Sequence, residues 1–184
     1  MEWQYSGVGL KALVEVLRAR PDVEQVFARV SPATREALER PSLSKWHDGA
    51  VIFDLTLAMD AVMGGDAIEA VYDEHVRRSI GPLMAPFVKV ALSLAGNDPR
   101  TIFKRMDGMM GSVVKGVASA WSETTPTAGV LTLTHRDEVK VPSVRAWAGV
   151  LRYPFDLCEV KGTVRPRLDG FDGHHLVYDL AWTR

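Results

Sequence analysis

The residues best equipped for chemistry fall in three places. Asp172, His174 and His175 combine a carboxylate with two imidazoles, side-chain types that ligate zinc. Successive side chains of a strand point to opposite faces, so the two histidines cannot both reach one ion from one face of a sheet, and a solvated hairpin tip is the plainer reading. Asp66, Glu69, Asp73, Glu74 and His75 crowd one predicted helix. Di-metal carboxylate sites use Glu-x-x-His pairs on two helices. Here the position three after Glu69 is Tyr72, and there is no second copy. Asp73 with Arg77 and Glu74 with Arg78 are i,i+4 pairs of favourable orientation, so this segment reads as surface ion pairing. Gly108-x-x-Gly111 with Lys115-Gly116 resembles a phosphate loop only loosely. A Walker loop needs Gly-Lys followed by Ser or Thr, and these glycines read instead as small residues that let helices approach.

Isolated candidates are fewer. No Gly-x-Ser-x-Gly elbow is present, and Cys158 follows an apolar face, where it reads as a small core residue. Asp54 and Asp60 interrupt an apolar helix. A buried Asp54 would be a functional candidate through a raised pKa, and an exposed one a polar helix edge. Met59, Met63, Met84, Met106, Met109 and Met110 are adaptable apolar side chains that could line a pocket, though such residues are more often plain core. With no nucleophile–base pair and no metal set, the expectation is a protein that is not an enzyme, with no catalytic residue, no metal and no cofactor.

The elements that position these residues follow from periodicity. The chain of 184 residues is 47% hydrophobic, carries a formal charge of −1 and has one cysteine. That fits one domain over 1–184, provides no basic excess for nucleic acid and rules out an intrachain disulfide. No signal peptide and no span of the roughly 20 apolar residues a bilayer requires is present, so a cytoplasmic protein is expected. Apolar stripes at i, i+3, i+4, i+7 predict helices through Leu10–Leu17 and Val23–Val30, then a short one from Ser31-Pro32 and another from Asp48 to Gly64-Gly65. Ile68, Val71, Tyr72 and Val76 predict the next. A further helix is expected after Pro82 or Pro86, ending at Gly96 and lying at the centre of the helical layer because it is apolar all round. Asp98-Pro99 opens one more, with Ile102, Phe103, Met106, Met109, Met110, Val113 and Val117 inward. The segment 122–128 reads as a loop.

The period then changes. Residues 130–134 and 139–141 read as two strands, Ser143 as the cap of a helix with Val144, Trp147, Ala148, Leu151 and Phe155 inward, and 163–168 and 176–182 as a closing hairpin. Pro154 should end or kink that helix. Pro166 puts its strand at an edge or over a bulge. The expected fold is α+β: a mainly helical part over 1–121 packed on a small, mainly antiparallel sheet over 128–184, ordered strand-strand-helix-strand-strand.

That layout resembles the ligand-binding fold of 4-vinyl-reductase-like domains, haem-NO-binding-associated domains and core TRAPP trafficking subunits. Trp46, the helix from Asp98 into Lys115-Gly116, the segment Ala146-Trp147-Ala148-Gly149-Val150-Leu151 and the close on Ala181-Trp182 also resemble an uncharacterised paralogous family from myxobacteria, over residues 8 to 183. The cysteines often found in the last hairpin of the vinyl-reductase-like pattern are missing here. A metal role does not carry over with them. The resemblance implies regulatory or sensory work and assembly through helices, as a homodimer or scaffold subunit. A small apolar ligand between helices and sheet would be lined by Phe87, Met106, Met110, Trp147, Leu151 and Tyr178. Arg145 and Arg152, off the apolar stripe, would stand at its rim, where an acidic, hydrophobic molecule suits them. The alternative is a protein–protein interaction module, using the apolar segment 80–95 as an interface.

Overall fold

In the computed structural model, which covers residues 3–183 and gives only the backbone of residues 80–89 and 91–95, the apolar stripes of the first half become helices. α1 (Gly7–Arg18) buries Leu10, Leu13, Val14 and Leu17, and Ser6 Oγ caps it by accepting from Gly9 N at 3.2 Å. α2 (Val23–Arg29) and α3 (Pro32–Glu39) follow, the latter with Pro32 in its first turn and Ser31 as its cap. Asp48 caps α4 (Gly49–Met63) as expected. Gly64, at φ +80°, turns the chain into α5.

α5 corrects the sequence reading. It is one helix, Gly65–Ala95, that runs through Pro82 and Pro86 where two helices were expected. The prolines are four residues apart, so their missing donors fall on one side of the helix. The expected placement of this stretch at the centre of the layer concerns side chains outside the described residues.

The helix predicted from Asp98 to Val117 is a second correction. Asp98 does cap α6 (Pro99–Lys104), but the chain breaks at Arg105 and reforms only as α7 (Met106–Met110). Gly108 and Gly111 are poor helix formers, and Val113, Val114 and Val117 favour extended backbone. They lead into β strands at Val114–Lys115 and Val117–Thr125, with Gly116 at φ +81° between them. Gly108 has open space where a side chain would stand, and Gly111 meets only its own turn. Neither lets helices approach, contrary to expectation.

Two sheets result. The small one is ordered β2-β1-β3, with β1 (Gln4–Ser6) between β2 (Trp46–Asp48) and β3 (Val114–Lys115), all antiparallel. Nothing in the sequence reading anticipated it. The large one is ordered β4-β5-β7-β6, from β4 (Val117–Thr125), β5 (Ala128–His135), β6 (Lys161–Arg167) and β7 (His175–Thr183). β5 pairs with β4, not with residues 139–141, so the first hairpin lies upstream of its predicted position and takes in most of the expected loop. Pro166 lies on edge strand β6, as its missing donor requires. Between the hairpins come α8 (Val141–Val150), which starts two residues before the Ser143 cap expected for it, and α9 (Tyr153–Leu157), with Pro154 in its first turn.

On one face of the large sheet, Leu131 stands opposite Tyr178 and Leu133 opposite Leu176, with Leu180 and Trp182 completing the row. All six are buried against α6, α8 and α9. A second core lies among α1, α2, α4 and α5. α8 separates the two, and Trp147 and Phe53 pack against both.

Candidate functional site

Trp147 stands at the centre of the candidate site. Its ring joins the apolar cluster of Met106, Leu151 and Tyr178 on the sheet side, where half-buried Met110 also packs. The structure therefore brings five of the predicted lining residues together. The side chain of Phe87 lies outside the described residues. Tyr178 is fully buried, and its hydroxyl donates to the Val144 carbonyl oxygen at 2.9 Å, tying β7 to α8. Burial holds that phenol well above its ordinary range.

Arg145 and Arg152 are not free at a rim. Both donate to Glu69 of α5, at 3.2 Å and 2.5 Å, and Arg145 also reaches toward Asp66. Glu69 is largely buried, and it clamps α5 to α8 with a two-arginine grip.

The buried polar side chains include two histidines that sequence reasoning did not place there. His135 ends the inward-facing row Leu131, Leu133, His135 of β5 and is 2% exposed. Trp147 Nε1–H donates to its Nε2 at 3.0 Å, and Trp3 meets its ring edge-on at 5.4 Å. Burial lowers its pKa to about 4, opposed by the charge of Asp137 and reinforced by His174. Its Nδ1 is buried without a partner. His75 belongs to the buried stripe of α5, one turn after Val71 and Tyr72. Its Nε2 meets the Tyr5 hydroxyl at 2.6 Å and its Nδ1 meets Ser79 Oγ at 3.1 Å. Burial lowers His75 to about 4 as well. The Tyr5 phenol is raised by burial and by Tyr72, and Tyr72 is pushed up to about 12 by burial despite its hydrogen bond with Thr56. These signals were present in the sequence: position 75 has helical spacing from 68, 71 and 72, and position 135 has strand spacing from 131 and 133.

The other motifs take structural roles. Asp172 accepts from the backbone N–H groups of His174 and His175 and pairs with His175 Nδ1, which holds its carboxyl well below the usual range. Asp73–Arg77 and Glu74–Arg78 form the expected ion pairs, and Arg77 also reaches Asp156. Asp54 is half-buried. Burial raises its pKa, but the Ser31 N–H and the Thr34 and Ser31 hydroxyls outweigh that and lower it, so Asp54 tethers the start of α3. Burial, with Asp98 nearby, pushes the Cys158 thiol up to about 11. That residue borders an open surface depression of about 460 Å³ with Asn97, Glu159 and Val160. Among the described residues no three His, Cys, Asp or Glu side chains converge to hold a metal ion.

No protein-family model matches the chain, and no curated protein matches it. Solved structures do. A mutant of the H-NOX protein from K. algicida, in its Fe(II) unliganded form, superposes with a TM-score of 0.72 at 9% identity, over 97% of each chain. The oxygen complex of an oxygen-binding H-NOX domain related to soluble guanylate cyclases gives 0.63 at 10% identity, over 94% of this chain and 92% of that one. A protein in which heme redox potential is modulated by protein-induced porphyrin distortion gives the same values. The chain therefore has the haem-NO-binding fold of H-NOX domains.

Proposed function

We propose that this chain is a non-enzymatic sensory or regulatory domain that takes a small apolar molecule between α8 and the inner face of the large sheet. The position of Trp147 carries the reading, because it touches both cores. A molecule lodged against it alters the fit of the sheet to the helical layer, and apolar boundaries of this kind are where ligand pockets form. Met106, Met110, Leu151 and Tyr178 line the site. Arg145 and Arg152 are held on Glu69 beside it, and an acidic group on the ligand would exchange with that carboxylate and loosen α5 from α8. Membership of an uncharacterised myxobacterial paralogous family and a cytoplasmic setting belong to the same proposal. No helix among the described residues is long and apolar enough to cross a membrane.

Thermal shift against fatty acids, tetrapyrroles and nucleotides tests this, with native mass spectrometry of protein from its own host. Stabilisation by an apolar class is expected. Stabilisation by nucleotides alone, or by nothing, overturns it.

A second reading, an interaction module or homodimer, draws on the outward face of the sheet. There Ala120, Thr132 and Val177 lie in register in a row that ends on Arg167 of β6. Light scattering that gives a strict monomer removes the homodimer.

A further inference from the structure

We infer that haem is not the ligand of this chain, because the lone pair of each buried imidazole is already filled by a hydrogen-bond donor. Haem iron is held by a histidine, cysteine, methionine or tyrosine side chain that offers it electrons. A neutral imidazole has one such nitrogen, and its other nitrogen carries the proton.

At His135 the partner decides the tautomer. An indole N–H can only donate, so the nitrogen that receives Trp147 Nε1–H is the lone-pair nitrogen, Nε2. Nδ1 then carries the proton. Ligation through Nδ1 would move that proton to Nε2, where it would oppose the indole N–H. At His75 the same logic runs through Ser79. The Ser79 hydroxyl donates to the His75 carbonyl oxygen at 2.8 Å, so toward Nδ1 it accepts, and Nδ1 carries the proton. The lone pair on Nε2 is filled by the Tyr5 hydroxyl.

The remaining donors do not replace them. His47 lies on β2 of the small sheet, and His174 and His175 at the start of β7, where His175 is held by Asp172. The Cys158 thiol, pushed up to about 11, stays protonated. The hydroxyls of Tyr178 and Tyr72 are engaged by Val144 and Thr56, and Tyr153 lies in a separate cluster with Ile102, Leu157 and Cys158, under the Arg77 guanidinium. Residues 80–95 contain no His, Cys or Tyr, and a methionine ligates haem iron beside a histidine rather than in place of one. What remains is a metal-free apolar ligand, and that part rests on the function proposed above.

The test uses the full chain, produced with iron and 5-aminolaevulinate in excess. Visible spectra and a pyridine haemochrome assay are taken on the purified protein, and the protein is then titrated with hemin, reduced and exposed to CO. The expected result is no stoichiometric haem and no CO-shifted Soret band. Hemin that keeps its free spectrum counts as the same result. One haem per chain, with a ferrous Soret band that moves on CO, overturns the inference while leaving an interior ligand site standing. If neither haem nor any apolar molecule binds, the inference holds and the ligand proposal falls.

Discussion

Gly149 of α8 lies so close to Glu69 of α5 that a β-carbon on it would stand 2.2 Å from the Glu69 carbonyl oxygen. The obstacle is backbone, which cannot swing aside. The helices that the two arginines hold together are thus also held apart by nothing larger than hydrogen.

Gly149→Ala should therefore force α5 and α8 apart and destabilise by about 1–3 kcal/mol, the usual cost of overpacking. Gly108→Ala, in α7 where the space is open, should change stability by less than about 1 kcal/mol and in the favourable direction. Urea unfolding of the two variants beside the wild type checks the contrast. Equal effects would mean that the α5–α8 contact is looser than described.

Glu69→Ala removes the carboxylate that Arg145 and Arg152 share and leaves Arg145 only the exposed Asp66. A loss of about 1–2 kcal/mol is expected, against less than about 1 kcal/mol for Arg152→Ala, whose side chain is half exposed. A double-mutant cycle across Glu69 and Arg145 should show coupling. Additive losses would show that the clamp is geometry without energy.

Trp182 is buried among Phe103, Trp121 and Phe155. Trp182→Ala should cost on the order of 3–5 kcal/mol. A loss under about 1 kcal/mol in denaturant unfolding would mean that the inner face of β7 is not the packed one.

Acid should unfold this protein through its two interior imidazoles. Each has a folded pKa of about 4, below the ordinary 6.5, so the unfolded chain binds more protons between those values. Stability is then fully present above about pH 6.5 and is lost as pH falls toward 4, by on the order of 3 kcal/mol for each imidazole. Denaturant unfolding from pH 4.5 to 7.5 should show this positive slope, and His75→Gln should remove part of it. A flat profile in the wild type would place both rings in contact with water.

The helices α1 to α4 were legible in the sequence because each carries apolar residues at helical spacing, and Ser6, Ser31 and Asp48 cap three of them. The buried face of β7 was legible because Leu176, Tyr178, Leu180 and Trp182 alternate without exception. β4 was not, since Val117-Ala118-Ser119-Ala120-Trp121-Ser122 mixes small and polar residues on both faces, and only its pairing with β5 defines it as a strand. β1, β2 and β3 are two or three residues each, too short for any period to register. At the candidate site Met106, Met110, Trp147 and Leu151 were picked from the stripes of two expected helices, and they share one apolar cluster with Tyr178 of β7. The histidines were not, because His75 stands beside a run of charges and His135 beside a polar turn, and each reads with its neighbours rather than with its face. Arg145 and Arg152 do fall off the stripe, as their positions imply. Their partner, Glu69, lies about eighty positions earlier, and no local pattern connects them.

The small sheet sets an order of events. β1 spans residues 4–6, yet its second neighbour is at residues 114–115. At a synthesis rate of about 5–20 residues per second, the opening strand waits roughly 5–20 s for that partner to exist. Until then Tyr5 has one neighbouring strand, and the His75 ring it will bond emerges well before the sheet can fix it. Residues 4–6 are thus secured only once the chain has passed Val114, and a nascent chain arrested before that point should leave this segment open to a protease.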